Sequence, residues 1–598
     1  MLKKMLALSL LLAFAFGIAN AQSKKAIATE KAQYVDINLD EQMPNFNLDY
    51  KNVKLKKINA AALVQTNYDY ACNASVQNMI DLGSLDGATV GLITAMKRLS
   101  TQTSRSVEFF IGNLDGFASL TVNGGGAGWG TIFKGKGFVE SKKLVMYHRG
   151  GSSRLKFIDE NLNVSAEKTI LQGNFPSFVI LPDGKMLVTN TNGMLYSSLD
   201  TGSTTTQLLD LFPERATDGN AELLLRVSEN GQYVAHVAPY AVRGNGGKYG
   251  TQTNPDSVDV TILRYSTDGG QNWSYREIAY DGITTLANRT EFYPLFENFG
   301  QVQFAVGNMG IVHVVMNGYG FRGINDTTAT VAFPVIYWNN IEGVWKAISD
   351  FNVDTINSAI LASLRPGNGI GQSYPCVSIS KDGNLVVALW QGPEFVGAVG
   401  QSQVAIYNGT NLKFYTDLYY AYSTDAGATW SAPQVLKGEK QVQESYPYAN
   451  LFVEELGNNE YKVHYVYMVD AIPGTSLFGN NNGPSDETTW YYDQLVINAQ
   501  LVSAEKEAVK ANTFELSQNY PNPFNPATTI NYSIPENGFV SLRVFDMLGR
   551  EVAVLVNEYQ NAGKNTVRFD ASNLTSGVYV YTLQFNGKVQ SKKMILMK

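Results

Sequence analysis

The sequence predicts an all-β chain in two parts, a large body of repeated four-stranded units followed by a small β-sandwich, and three observations support this. From about residue 66 to 500, short apolar runs are separated by Gly, Asn and Asp turns, the texture of brief strands rather than of strands alternating with helices. Several runs share one outline: FPSFVILPDGKMLVT (175–189), LLLRVSENGQYVAHV (223–237) and YPCVSISKDGNLVVAL (374–389) each read strand, D-G or N-G type turn, strand, which is the hairpin signal. From residue 514 onward, VSLRVFD, NTVRFD and GVYVYTLQF alternate with period two, as half-buried strands do.

Looser copies of the hairpin are FAVGNMGIVHVVM (304–316), YPYANLFVEELGNNEYKVHYVYMV (446–469) and SVQNMIDLGSLDGATVGLITAM (75–96). The unit is close to the size of a four-stranded blade. Blades arranged radially bury a core that none could bury alone and leave only short edges. The reading is a β-propeller, six-bladed first and seven-bladed as the alternative, with a large sandwich or β-helix as the rival. The expected division is a signal peptide at 1–21, a leader or edge segment at 22–65, the propeller at 66–500, a linker at 501–513 and the sandwich at 514–598. About seven strands are expected in that sandwich.

The first residues predict export. Lys3 and Lys4 precede an apolar run too short to cross a bilayer, and Ala19-Asn20-Ala21 has the small-x-small form of a cleavage site before Gln22. The rest of the chain offers no long apolar segment. A net charge of −7 with no basic tract excludes a nucleic-acid partner. Cys72 and Cys376 are the sole cysteines, either one long-range bridge or two buried thiols, and not a disulfide scaffold. His148, His236, His313 and His464 form no ligand pair and sit among strand-like neighbours, so no metal site is predicted.

The stretch YSTDGGQNWS (265–274) returns as YSTDAGATWS (422–431). Ser266, Asp268, Gly270 and Trp273 match Ser423, Asp425, Gly427 and Trp430 in the order S-x-D-x-G-x-x-W, and Thr429 stands where the first copy has Asn272. An Asp here can accept hydrogen bonds from its own turn, Gly permits a positive φ, and Trp covers the result. The pattern resembles the Asp-box of sialidase-like and BNR-repeat propellers. The resemblance implies structural aspartates between the third and fourth strands of a blade, away from the ligand face.

Sialidases of that fold carry an arginine in an F/Y-R-I-P sequence. Arg98 and Arg105 lack the flanking Ile-Pro, so sialidase activity is not expected. Arg289, Glu291 and Tyr293 alternate in NRTEFYP and would share a strand face. With Tyr374, Glu444 and Tyr446 they form the candidate ligand-binding set, and the bland reading of each is packing at a blade edge. Recurrence of aromatic-Pro pairs points more to geometry than to one active site. Two Gly/Asn-rich loops, 240–259 and 472–490, offer carbonyl and side-chain oxygens for a structural Ca²⁺ or sugar hydroxyls, and Trp490 and Tyr491 offer a stacking surface. The bland reading of each is an exposed connection and ordinary strand aromatics.

The C-terminal stretch is similar to the sorting domain of the type IX secretion system of Bacteroidetes and related bacteria. The matching elements are NYPNPFNP, with Asn519, Pro521, Pro523, Asn525 and Pro526; VFDMLGREV, with Gly549 and Arg550; LTSGVYVYTL, with Gly577; and the closing KKMILMK, with Lys592 and Lys593. The resemblance implies passage by the Sec machinery, then the type IX outer-membrane translocon, to the medium or the cell surface. The expected function is non-catalytic binding of an extracellular glycan or surface protein. The alternatives are a glycoside hydrolase or lyase and a structural envelope component.

Overall fold

The computed structural model describes residues 60–66, 78–98, 104–123, 125–190, 193–200, 202–211, 224–243, 258–278, 291–294, 302–321, 330–332, 335–349, 373–394, 406–408, 412–471, 473, 488–499, 514–519, 521–535, 538–560, 563–585 and 588–597. The chain divides into two compact units, residues 1–501 and 502–598. Among the described residues both are built from antiparallel strands, and no helix is long and apolar enough to cross a membrane.

Among the described residues seven sheets of four or more strands follow one another along the larger unit, beside a two-stranded pair of Ile406–Asn408 and Leu412–Phe414. The first four are Ile80–Leu85, Ala88–Lys97, Ser106–Asn113 and Gly116–Asn123; then Ala127–Lys134, Lys143–Arg149, Ser152–Ile158 and Lys168–Gln172; then Ser177–Ile180, Met186–Thr189, Met194–Ser198 and Thr206–Asp210; then Leu224–Val227, Val234–Arg243, Val258–Ser266 and Ser274–Ile278. The fifth orders Gln303–Val306, Val312–Phe321, Val335–Asn339 and Lys346–Ala347, with Glu291–Pro294 and Thr330–Ala332 also paired to its second strand. The sixth comprises Ser373–Ile379, Val386–Pro393, Thr416–Ser423 and Gln434–Lys437. The seventh takes Gln443–Ala449, Glu460–Asp470 and Thr488–Asn498 from its own stretch of chain and Ala61–Thr66 from the N-terminal side, with Glu454–Gly457 paired to its second strand.

The seventh sheet corrects one expected boundary. Ala61–Thr66 pairs antiparallel with Thr488–Asn498, Thr66 opposite Thr488, so a division at 65/66 cuts a strand. Thr488 Oγ1 donates to the Thr66 carbonyl at 3.1 Å, and Arg98 N–H, just beyond the first sheet's second strand, donates to Thr66 Oγ1 at 3.0 Å. One residue therefore ties the seventh sheet to the first.

Apolar side chains are buried between sheets: strands such as Ser177–Ile180, Gln303–Val306, Ser373–Ile379 and Gln443–Ala449 are buried at every position, whereas Thr206–Asp210 and Gln434–Lys437 are largely exposed or half-buried. Phe178, Val179, Leu187 and Val188 are inaccessible in the third sheet, as are Val314, Val315, Ile336 and Tyr337 in the fifth. Separate clusters join successive sheets, and one joins Ile93 and Phe110 of the first to Met468 and Tyr492 of the seventh. First strands lie against one another in succession from the first sheet to the seventh.

Among its described residues the smaller unit has seven strands in two sheets. Glu515–Leu516, Ala527–Ile534 and Gly563–Asp570 form one, and Glu551–Gln560, Gly538–Phe545, Gly577–Phe585 and Lys588–Leu596 the other. The period-two residues meet in the core: Val540, Leu542 and Val544 with Tyr581, Leu583, Phe585, Met594 and Leu596. Asn519 anchors the proline-rich entry. Its N–H donates to Tyr581 Oη at 2.8 Å and its side-chain amide to the Pro521 carbonyl and Thr528 Oγ1, each at 3.0 Å. Pro523 follows a cis peptide bond, and the Pro526 carbonyl accepts Ala571 N–H. Gly549, at φ +78°, lets the turn close so that Arg550 pairs with Asp546 at 2.7 Å. Asn525, Gly577, Lys592 and Lys593 are exposed.

Candidate functional site

Both serine-aspartate repeats occupy the turn between the third and fourth strands of their sheets, the fourth and the sixth. Ser266 Oγ donates to Asp268 Oδ1 at 2.7 Å and accepts Gly270 N–H at 2.8 Å. Ser423 makes the same bonds to Asp425 and Gly427 at the same lengths. Thr429 then gives its N–H and Oγ1 to the two Asp425 oxygens at 2.8 and 2.7 Å. Asn272 reproduces this with its N–H and side-chain amide on Asp268, at 2.9 and 2.7 Å, so the departure in sequence leaves the geometry intact. Burial pushes both carboxyls up, but these hydrogen bonds outweigh it and hold them below the usual carboxylate range. A carboxylate spent on its own turn is poorly disposed to act as general acid or base.

A third clasp is present in the third sheet, where sequence reading missed it. Ser198 Oγ donates to Asp200 Oδ1 at 2.9 Å and accepts Gly202 N–H at 2.8 Å, while Thr204 gives its N–H and hydroxyl to Asp200 at 2.8 and 2.6 Å. Those bonds, the Thr204 hydroxyl first, bring Asp200 down to about 2. The signal was available as S-L-D-T-G-S-T, with Thr205 where the other copies have Trp. If the three clasps are equivalent, Ser198→Ala, Ser266→Ala and Ser423→Ala each cost about 1–3 kcal/mol, because a buried glycine N–H loses its acceptor. Equilibrium denaturation of the three variants checks this, and a silent Ser198→Ala would remove the third clasp from the set.

A different group of carboxyls sits at the other end of the sheets. The sixth sheet's third strand runs from Thr416 to the clasp at Ser423, and Asp417 is paired with Gly392, two residues before Glu394. Glu444 lies at the start of the seventh sheet's first strand. Glu444, Glu394 and Asp417 are 2%, 4% and 7% exposed. Gln441 N–H donates to Glu394 Oε2 at 2.9 Å, and Glu439 N–H to Glu444 Oε2 at 3.4 Å. Burial drives all three upward: Glu394 to about 7, Glu444 to about 8, and Asp417 well above the carboxylate range, with Glu394 and Glu444 raising Asp417 further by like charge. Nearby, Lys437 is paired with Asp493, which also accepts the Tyr465 hydroxyl.

The structure brings part of the predicted set together. Tyr374 and Tyr446 pack edge to face, ring centroids 4.6 Å apart, and both are buried. Each precedes a proline, lies at a register shift in its first strand and has φ near +50°, 52° and 54° respectively. Phe175 before Pro176 has φ 49°. Bulky residues rarely adopt this conformation, so the aromatic-Pro pairs mark one recurring backbone device. Tyr446 N–H is held by Gln391 Oε1 at 2.8 Å. Tyr374, Tyr446 and Glu444, expected in the ligand-binding set, are buried, as is every residue of their two first strands, Ser373–Ile379 and Gln443–Ala449. Glu291 and Tyr293 alternate in Glu291–Pro294; Arg289 lies outside the described residues.

The remaining candidates resolve simply. All four histidines are held below their usual range, primarily by burial: His148 and His464 to about 4, His236 and His313 to about 3. Cys376 is a buried thiol with no disulfide among the described residues, and burial raises it to about 12; Cys72 lies outside them. Among the described residues no three His, Cys, Asp or Glu side chains are arranged to hold a metal ion. Trp490 is buried in the seventh sheet and Tyr491 stacks on Tyr467 at 5.8 Å. Most of the two Gly/Asn-rich loops lies outside the described residues.

No curated protein sequence matches the chain. Solved structures with which it aligns include a PL25 ulvan lyase, a polysaccharide lyase, at 11% identity over 69% of this chain and 94% of that one, TM-score 0.39. Another is the Aleuria aurantia lectin, at 10% identity over 60% and 94%, TM-score 0.28. A third is PorZ, a surface component of the type IX secretion system of Porphyromonas gingivalis, at 10% identity over 90% and 100%, TM-score 0.12. At these scores the likenesses support no inference about fold or activity. The family described as "Secretion system C-terminal sorting domain" matches residues 518–597, which include the proline-rich entry held by Asn519 and the final strand, and this part of the chain is such a sorting domain.

Proposed function

We propose that this chain is an exported, seven-bladed β-propeller that binds an extracellular glycan or protein without cleaving it. Seven consecutive sheets with adjacent first strands, and a seventh sheet completed from the N-terminal side, support seven blades over the six first expected. The three clasps fall between third and fourth strands, where the Asp-box of such propellers lies. The sorting domain supports delivery to the medium or cell surface.

The observation that carries binding over catalysis is the disposition of the carboxylates. Asp200, Asp268 and Asp425 are consumed by their turns, and Glu394, Asp417 and Glu444 are buried between sheets. Retaining or inverting glycoside hydrolysis needs two carboxyls flanking one bond within reach of substrate. In this reading the binding surface lies at the sheet ends opposite the clasps, where the second strands Val234–Arg243, Val386–Pro393 and Glu460–Asp470 end and the third strands Val258–Ser266, Thr416–Ser423 and Thr488–Asn498 begin. The elevated Glu394 and Glu444 favour a second reading, a glycan-cleaving enzyme with one of them as general acid.

The full secreted chain, incubated with a panel of extracellular polysaccharides, is expected to bind at least one saturably in calorimetry and to release neither new reducing ends nor unsaturated sugars. Product formation abolished by Glu444→Gln would replace the binding reading with the enzymatic one.

A further inference from the structure

Arg226 lies in the first strand of the fourth sheet and is 1% exposed. Its Nη1 donates to the neighbouring Leu225 carbonyl at 3.1 Å. Its Nη2 reaches Gln303 Oε1, in the first strand of the fifth sheet, at 3.0 Å, and Tyr448 Oη, in the first strand of the seventh, at 3.2 Å. Gln303 Nε2 closes the triangle on Tyr448 Oη at 2.8 Å. Side chains from three separate sheets therefore converge on one guanidinium.

None of these partners carries a negative charge. Burial raises the Tyr448 hydroxyl to about 12, so it stays neutral, and among the described residues no carboxylate acts on Arg226. Arg226 Nε is buried without a hydrogen-bond partner. A guanidinium keeps its proton even when buried, so the alternative open to a buried lysine, losing the charge, is closed here. Removing such an ion from water costs several kcal/mol unless an opposite charge accompanies it. A water molecule would satisfy the Nε–H but leave the charge uncompensated.

A second donor lies at the matching register. Arg226 is the residue before the last of its first strand, as Ser378 is in the sixth sheet, opposite Ala235 and Val387 respectively. Ser378 is inaccessible, and its Oγ is buried without a partner. Both orphan donors are buried, so neither is open to a sugar acid or a phosphate ester.

We infer that the Nε–H edge of Arg226 binds a monovalent halide-class anion, chloride in a physiological medium, where the first strands of the fourth, fifth and seventh sheets meet. The ion neutralises the Arg226 charge, and its binding stabilises the convergence of these strands.

The test uses the full chain. Its melting temperature is expected to rise by about 2–4 °C, saturably, as sodium chloride or bromide replaces sodium gluconate at constant ionic strength. Arg226→Met, which removes the charge while keeping an apolar stem, is expected to lose that dependence. If wild-type melting is equal in chloride and gluconate, or if Arg226→Met keeps the full chloride response, the site is refuted. Should Arg226→Met fail to fold, wild-type crystals grown in bromide decide. An anomalous peak within about 3.5 Å of Nε, a hydrogen-bonding separation for a large anion, supports the site, and its absence overturns it.

Discussion

Gly427→Ala is expected to destabilise the larger unit by about 3–5 kcal/mol, a larger loss than removing any one hydrogen bond of the clasp. Gly427 sits in the second serine-aspartate turn at φ +89°. A left-handed conformation alone costs a non-glycine residue about 1–2 kcal/mol. Here a Cβ would also lie 2.0 Å from Tyr337 Oη, and that hydroxyl has nowhere easy to go. It lies 2.8 Å from His313 Nδ1, accepts from Asn339 Nδ2 at 3.0 Å and donates to the Ala426 carbonyl at 3.1 Å, while the Tyr337 ring packs edge-on against Trp430 at 4.8 Å. Moving Tyr337 strands buried polar groups of the fifth sheet.

Two other glycines separate strain from overlap. Gly270, in the first clasp, has φ +80°, and its Cβ would meet only the tip of Leu187 at 2.7 Å. A flexible methyl can yield, so Gly270→Ala is expected to cost less. Gly457 has φ +86° and open space, so its alanine variant reports the backbone term alone. Denaturation following the transition of the larger unit gives the order 427 > 270 > 457. Equal losses at all three would mean that the Tyr337 contact contributes nothing.

The clasps were legible because their chemistry is local. Ser, Asp and Gly at fixed offsets close their own turn, so the motif survives in sequence even where the covering Trp is replaced by Thr205, although that replacement hid the third copy. The sorting domain was legible for a different reason. Each of its sheets has one wet face, so Val540, Leu542 and Val544 alternate with polar neighbours in the sequence as they do in the fold.

The succession of sheets was harder to read, because Ala61–Thr66 completes a sheet more than 400 residues away, as the 422-residue separation of Thr66 and Thr488 shows, and the fifth sheet carries extra strands. Arg226 in LLLRVSE looks like the outward residue of an alternating strand. It is buried because a first strand has neighbours on both sides, a fact of assembly and not of local pattern. Glu394, just past a second strand, and Asp417, near the start of a third, in QGPEF and FYTDLYY, are likewise buried by assembly and not by local pattern.

Glu444→Gln is expected to make the protein more stable than wild type at pH 8.5 by an amount on the order of a few kcal/mol, with little difference near pH 5. The sign follows from the proton balance. Burial raises Glu444 to about 8 and Glu394 to about 7, from an ordinary 4.5. Between about pH 4.5 and 8 these two carboxyls therefore hold more protons in the folded state than in the unfolded one, and their contribution to stability falls as pH rises. The histidines act oppositely: held near 3 to 4 when folded, against 6.5 when unfolded, they add stability as pH rises to about 6.5. Above that pH they are silent, and the carboxyls govern. Thermal melts of the full chain should decline from pH 6.5 to 8.5 in wild type and decline less in Glu444→Gln, whose amide oxygen can still accept Glu439 N–H. Parallel curves for the two proteins would show that the buried Glu444 carboxyl does not hold its proton at neutral pH, and with it would go the case for a carboxylic acid poised between the sixth and seventh sheets.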